Sequence, residues 1–153
     1  LLANSLLFVR ILLFAMATPW LARIPIRRLE KLMQISSSPW AAGGESKVDQ
    51  PRVEFIVNAT ERICRAGRRV FTQKCMTRGL TLYFFLRRAG MDVSLVFGAG
   101  KVERKFAAHC WLVRSGMPYL ETTDPGPLFV PFYTFRSRGT QSGDSLPSQE
   151  AAR

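Results

Sequence analysis

Two residue types in this chain attract chemical attention because each is scarce: Cys75, one of three cysteines, and His109, the single histidine. A thiol is a weak nucleophile until it ionises, and a neighbouring imidazole favours the thiolate. A carboxylate beside the imidazole would orient it and stabilise its charged form. Glu121 follows His109 across a glycine-containing turn, and Asp124, just beyond, is the other candidate acid. In that order the residues could carry out acyl transfer through a thioester. The competing reading is structural: a cysteine at the start of a buried helix and a histidine on a strand both serve as ordinary packing residues.

Such a site needs elements that bring distant positions together. Met76, Leu80 and the run Leu82 to Leu86 cover most of a helical circumference, which predicts a central helix buried on most sides. Arg87 and Arg88 suit its C-terminal dipole and Gly90 its cap, so its N-terminus falls at or near Cys75. There the positive end of the helix and its free N–H groups would favour a thiolate and could hold an oxyanion. Lys74 and Arg78 add positive charge, or are simply solvated.

Val93–Ala99 and Lys105–Arg114 read as strands, followed by a tight turn at Ser115–Pro118 and a third strand over Tyr119–Thr122. Phe129–Phe135 would add a last one. Gly98 and Gly100 read as a strand end and turn. Alternation puts His109 and Trp111 on one strand face and Cys110 on the other. Upstream, Asp49 caps a helix with Pro51 in its first turn, and Val53, Ile56, Val57, Thr60, Ile63 and Cys64 form its core stripe. Helices then a sheet predict an α+β fold.

Before this core, residues 1–48 form an apolar helical region and linker. Helices are expected near 2–17 and 24–34, the second amphipathic through Ile24, Ile26, Leu29, Leu32 and Met33. A flexible connector is expected around Ser36–Gly44. Arg10 and Pro19 interrupt the first apolar run, so the expectation is a helix packed on the domain or resting on a membrane surface. The core then occupies 49–135, and 136–153 read as a disordered tail.

With 153 residues and 47% hydrophobic content the chain has the size and composition of one globular domain. Three cysteines without a C-x-x-C pair, and one histidine, argue against zinc and against a disulfide framework; a reducing, cytoplasmic compartment is expected. No phosphate-binding glycine loop is present. The net charge of +11 favours anionic partners, but the arginines are scattered and no recognition motif accompanies them, so nucleic acid is not expected.

The segment Cys75-Met-Thr-Arg-Gly-Leu-Thr-Leu-Tyr-Phe-Phe-Leu-Arg-Arg-Ala-Gly90, the strand through Val96-Phe-Gly98 and then Ala108-His-Cys-Trp111 resemble the leader peptidase of lasso-peptide biosynthesis. This is the transglutaminase-like C-terminal half of the lasso maturation B protein, a separate chain in split systems. The resemblance covers roughly 50–124. Departures are Met76 for leucine, Gly79 for alanine or a small alcohol, Cys110 for alanine, Val113 for an acid, and Glu121 where aspartate is familiar.

The resemblance implies a papain-like or transglutaminase-like core, with Cys75 as nucleophile, His109 as base and Glu121 as orienting acid. The Cys75 backbone would serve the oxyanion, and Gln73 is a further candidate donor unless it is an exposed loop residue. It also implies removal of the leader from a ribosomally made precursor peptide. The expected partners are a separate leader-recognition protein and an ATP-dependent, asparagine-synthetase-like cyclase; no cofactor or metal is expected. A transglutaminase or acyltransferase would use the same residues, and a membrane-associated scaffold would use none of them.

Overall fold

The computed structural model describes residues 2–36, 48–69, 71 and 74–135. Four helices, α1 (Leu2–Leu21), α2 (Ile26–Ser36), α3 (Gln50–Ala66) and α4 (Lys74–Arg88), precede four strands, β1 (Ser94–Val102), β2 (Lys105–Arg114), β3 (Met117–Tyr119) and β4 (Val130–Phe135). The strands form one antiparallel sheet in the order β3-β2-β1-β4. This is the expected α+β order. Of the predicted connector, Ser36 is the last residue of α2, and residues 37–44, the tail from Arg136 and Gln73 lie outside the described residues.

Helix α4 is the centre of the packing because its sequence is apolar on nearly every side. Leu80, Leu82, Tyr83 and Leu86 are buried against α1, α3 and the sheet. Gly90, at φ 84°, lets the chain turn: Gly90 N–H bonds Arg87 O, and Met91 N–H bonds Leu86 O. These two bonds satisfy carbonyls that the helix end would otherwise leave bare. Helix α3 starts as predicted, with the Asp49 carboxylate accepting from Arg52 N–H and Pro51 in the first turn.

Helix α1 runs past the expected end at residue 17 and contains Pro19. Proline lacks the N–H that would bond the Ala15 carbonyl. The Thr18 hydroxyl supplies that bond instead, at 2.7 Å, and accepts from the Thr77 hydroxyl, the two oxygens lying 2.9 Å apart. One buried threonine pair thus repairs the helix and fastens it to α4. Ile11 and Ala15 join the common core, while Leu6, Leu13 and Trp20 face outward. By length and composition Ala3–Leu21 could cross a membrane. In α2, Leu29 and Met33 are buried and Leu32 is exposed; Glu30 accepts a hydrogen bond from Tyr133 of β4.

The sheet corrects two expectations and helix α3 a third. Strand β1 continues through Gly98 and Gly100 instead of turning there, because the missing side chains admit neighbours. A β-carbon on Gly100 would lie 2.0 Å from the Leu128 carbonyl oxygen. The turn falls instead at Glu103 and Arg104, both with positive φ, the twist that a two-residue hairpin prefers. The third strand spans only Met117–Tyr119, because Leu120 takes a φ of 60° and ends the extended run, leaving Glu121 beyond it. Finally, Cys64 is half-exposed rather than part of the α3 core, whose buried face is Val53, Ile56, Ala59, Thr60 and Ile63.

Candidate active site

Cys75 is the second residue of α4 and lies half-buried against the sheet. Its backbone N–H belongs to the first turn, where no intrahelical acceptor exists. Two residues of β2 reach its sulfur. The His109 ring hydrogen-bonds it, and so does the Cys110 thiol from the opposite strand face. Strand alternation separates His109 from Cys110 as expected, and yet both touch the same sulfur. Among the described residues β3 covers β2 only as far as Leu112, which pairs with Tyr119, so no further strand flanks His109 on that side.

The Cys75 thiol is held down at about 5, below its ordinary value near 9. The hydrogen bond from Cys110 contributes most, followed, against the opposing cost of burial, by the hydrogen bond and charge of His109. Cys110 moves far the other way, since it donates to Cys75 and is itself buried. The ionised member of the pair is therefore Cys75, which alone has an imidazole partner and partial access to water. Position at a helix start was the visible signal for this thiol, but the largest contribution comes from a cysteine that sequence reasoning set apart. The adjacent His-Cys dipeptide on a strand was the one hint.

Glu121 completes the line. Its Oε2 lies 3.4 Å from His109 Nε2, and its Oε1 accepts from Arg78 Nη1 at 2.8 Å. Arg78 also donates through Nε to Glu61 at 2.7 Å and through Nη2 to the Leu120 carbonyl. A non-glycine residue at φ 60° is uncommon and needs surrounding structure to hold it. The Arg78 guanidinium does so, gripping the Leu120 carbonyl and the Glu121 carboxylate together. Asp124, the alternative acid, is exposed and accepts from Gly126 N–H. Of the two acids, Glu121 is the one whose carboxylate lies near the His109 ring.

The histidine ring is also steered from its faces. It stacks on Trp111, with centroids 5.9 Å apart and planes 17° apart, and leans on Phe129 at 5.3 Å. Gly98 pairs with His109 across the ladder and has no side chain for a reason: a β-carbon there would lie 2.7 Å from the Trp111 ring. Neither Trp111 nor Phe129 was a sequence-level candidate for the site.

Two of the departures from the lasso pattern meet here. A β-carbon on Gly79 would lie 3.0 Å from the Cys110 sulfur and 3.1 Å from Leu95 Cδ1. The helix has given up a side chain one turn after Cys75, and the strand has filled the space with a thiol. Gly79→Ala alone is expected to bring little or no stability, because the helix-propensity gain of about 1 kcal/mol is offset by the clash. In a Cys110→Ala background the same change should stabilise by part of that amount, the Leu95 contact remaining, read as a double-mutant cycle of unfolding free energies. Cys110→Ala should also raise the Cys75 titration midpoint, followed by thiolate absorbance at 240 nm.

The same shift carries a stability prediction. Because the native thiol binds its proton less tightly than the unfolded one, unfolding takes up a proton between the two values. The stabilisation is fully present above pH 9 and is lost as pH falls through about 5. Wild type should therefore lose more stability between pH 8 and pH 5 than Cys75→Ala does, as measured by thermal unfolding at each pH.

Among the described residues no group of three or more His, Cys, Asp or Glu side chains could hold a metal. Compared with known families, residues 15–134 match the transglutaminase-like superfamily. Neither the comparison with curated proteins nor that with solved structures produced a match. The match spans most of the chain, and the protein belongs to the transglutaminase-like superfamily.

Proposed function

We propose that this member of the transglutaminase-like superfamily is a cysteine peptidase that removes the leader from a ribosomally made lasso precursor peptide. The observation that carries the reading is the Cys75 thiol, ionised near pH 5 and joined to His109, which Glu121 flanks. The Cys75–Gly90 helix and the Ala108–Trp111 strand motifs support the lasso assignment within the superfamily.

The Cys75 thiolate attacks the scissile carbonyl carbon, and N–H groups of the first α4 turn stabilise the oxyanion. As the C–N bond breaks, His109 gives its proton to the leaving amine. Water, deprotonated by His109, then attacks the thioester; the acid product leaves and the thiolate is restored. Glu121 holds the ring and balances its charge. Delivery of the same thioester to an amine instead of water would make the protein a transferase, and product mass separates the two fates.

The reading includes a separate leader-recognition protein and an ATP-dependent cyclase as partners, with the protein at the cytoplasmic side of the inner membrane. The exposed apolar residues of α1 and the net positive charge support contact with that membrane face. The test is mass spectrometry of a precursor peptide incubated with this protein and its leader-recognition partner, beside Cys75→Ala. Two fragments whose masses sum to precursor plus water, formed by the wild type alone, are expected. An acceptor adduct in their place would establish the transferase. If wild type and variant give the same intact peptide while Cys75 also resists alkylation at neutral pH, the enzymatic reading fails.

A further inference from the structure

Beside Cys75 lies an open cleft of about 320 Å³, lined by Glu61, Cys64, Arg65, Arg68, Lys74, Cys75 and Arg78. Its charge is lopsided. Glu61, Cys64, Arg65 and Arg68 recur at the spacing of one α3 face carried into the turn that follows it, and Lys74, Cys75 and Arg78 share one face of α4. The single acid in the lining, Glu61, is occupied by Arg78. Arg78 in turn is shared with Glu121 and the Leu120 carbonyl. Arg65, Arg68 and Lys74 are exposed and make no ion pair among the described residues.

Resting on the assignment of Cys75 as nucleophile, we propose that this cleft binds an acidic residue of the peptide substrate, next to the bond that Cys75 attacks. Like charges gathered in a concave site raise the local concentration of an opposite charge, and repel one another until it arrives. A forked guanidinium recognises a carboxylate with two parallel hydrogen bonds, and two guanidiniums with an ammonium can hold one from several sides. The volume suits one or two side chains of an extended peptide rather than a folded partner. Cys75 is itself part of the lining, so an acidic residue held in the cleft lies close to the carbonyl that the thiolate attacks. An isolated arginine on a solvated face would have none of this convergence.

The test uses Cys75 itself as the reporter, with modification at each cysteine assigned by peptide mapping. The rate of alkylation by anionic iodoacetate, divided by that by neutral iodoacetamide, removes the intrinsic reactivity of the thiol. At Cys75 this ratio should exceed that of free N-acetylcysteine and fall as salt rises. In Arg65→Glu/Arg68→Glu it should drop by about tenfold or more. Arg65→Glu alone should lower it too, and Arg52→Glu, at the opposite end of α3, is the charge-matched control for that single variant and should leave the ratio unmoved. In a second arm, an N-acetyl tetraglutamyl amide should protect Cys75 from iodoacetamide where the tetraglutaminyl peptide does not.

A ratio equal in wild type and the double variant overturns the acidic-residue site. Protection by inorganic phosphate equal to that by the glutamyl peptide at matched ionic strength overturns it as well, leaving only a general anion patch. Slow reaction of Cys75 with both reagents would instead overturn the nucleophile assignment, a result that the charge ratio does not imitate.

Discussion

Cys75→Ala should leave a folded protein that cleaves nothing, and His109→Ala should come close to it. The proposed chemistry passes through a thioester that alanine cannot form, so the loss for Cys75→Ala should exceed about a thousandfold. His109→Ala removes the partner of the thiolate and the donor of the proton to the leaving amine. A loss of about a hundred- to ten-thousandfold is expected. The double variant should be hardly worse than Cys75→Ala, because residues that act as a unit are not additive. Precursor cleavage checks activity, and circular dichroism with thermal unfolding checks the fold.

His109 also has a readout that needs no substrate. Its loss removes one hydrogen bond and one charge from the Cys75 sulfur but leaves those from the Cys110 thiol and backbone. The thiolate midpoint should therefore rise in His109→Ala, and rise again in His109→Ala/Cys110→Ala. An unchanged midpoint in the double variant would mean that neither contact controls the thiol.

The second large effect is expected at Arg78. Its side chain is 24% exposed and that of Glu121 13%, so the pair is partly withdrawn from water and its loss is felt. Arg78→Met would leave Glu61, 38% exposed, without its partner and Glu121 with His109 alone, and release the Leu120 carbonyl at a residue whose φ is positive. A destabilisation of about 2–4 kcal/mol is expected, since stranding a partly buried charge costs more than the pair itself contributes. Activity should fall beyond what stability explains, because the loop after β3 no longer holds Glu121 against His109. Arg78→Lys keeps the charge but cannot span three acceptors with a fork, and should recover stability only in part. Urea unfolding and cleavage rates on the same samples check both claims. Equal loss in Glu121→Gln and Arg78→Met would place the effect in the acid rather than in the loop.

Much of this arrangement is legible in the residues alone. A helix apolar on nearly all sides must sit at the centre of a fold, whatever surrounds it, and Gly90 with Arg87 and Arg88 marks where it stops. That fixes where it starts, and with it the place of Cys75. The alternating run around His109 sets which face that ring shares with Trp111. Asp49 and Pro51 locate the start of α3. These are properties of neighbours a few residues apart, governed by periods of 3.6 and 2.0, and they survive without knowledge of the rest.

What the tertiary structure alone decided concerns residues far apart in sequence. Cys110, on the face of β2 away from the histidine, is packed against α4 and meets Cys75 there, because Gly79 leaves room for its sulfur. Glu121 was placed on a strand but stands past its end, held near His109 by an arginine more than forty residues earlier. The glycines of β1 resembled a turn in one dimension and proved to be clearance for Trp111 and Leu128 in three. Cys64 left the core stripe for the rim of a basic cleft shared by two helices. Local pattern fixes an element and its faces, because its causes lie within one or two turns. The partner that meets each face is set by packing across the whole chain, and the acidity of the thiol is set there with it.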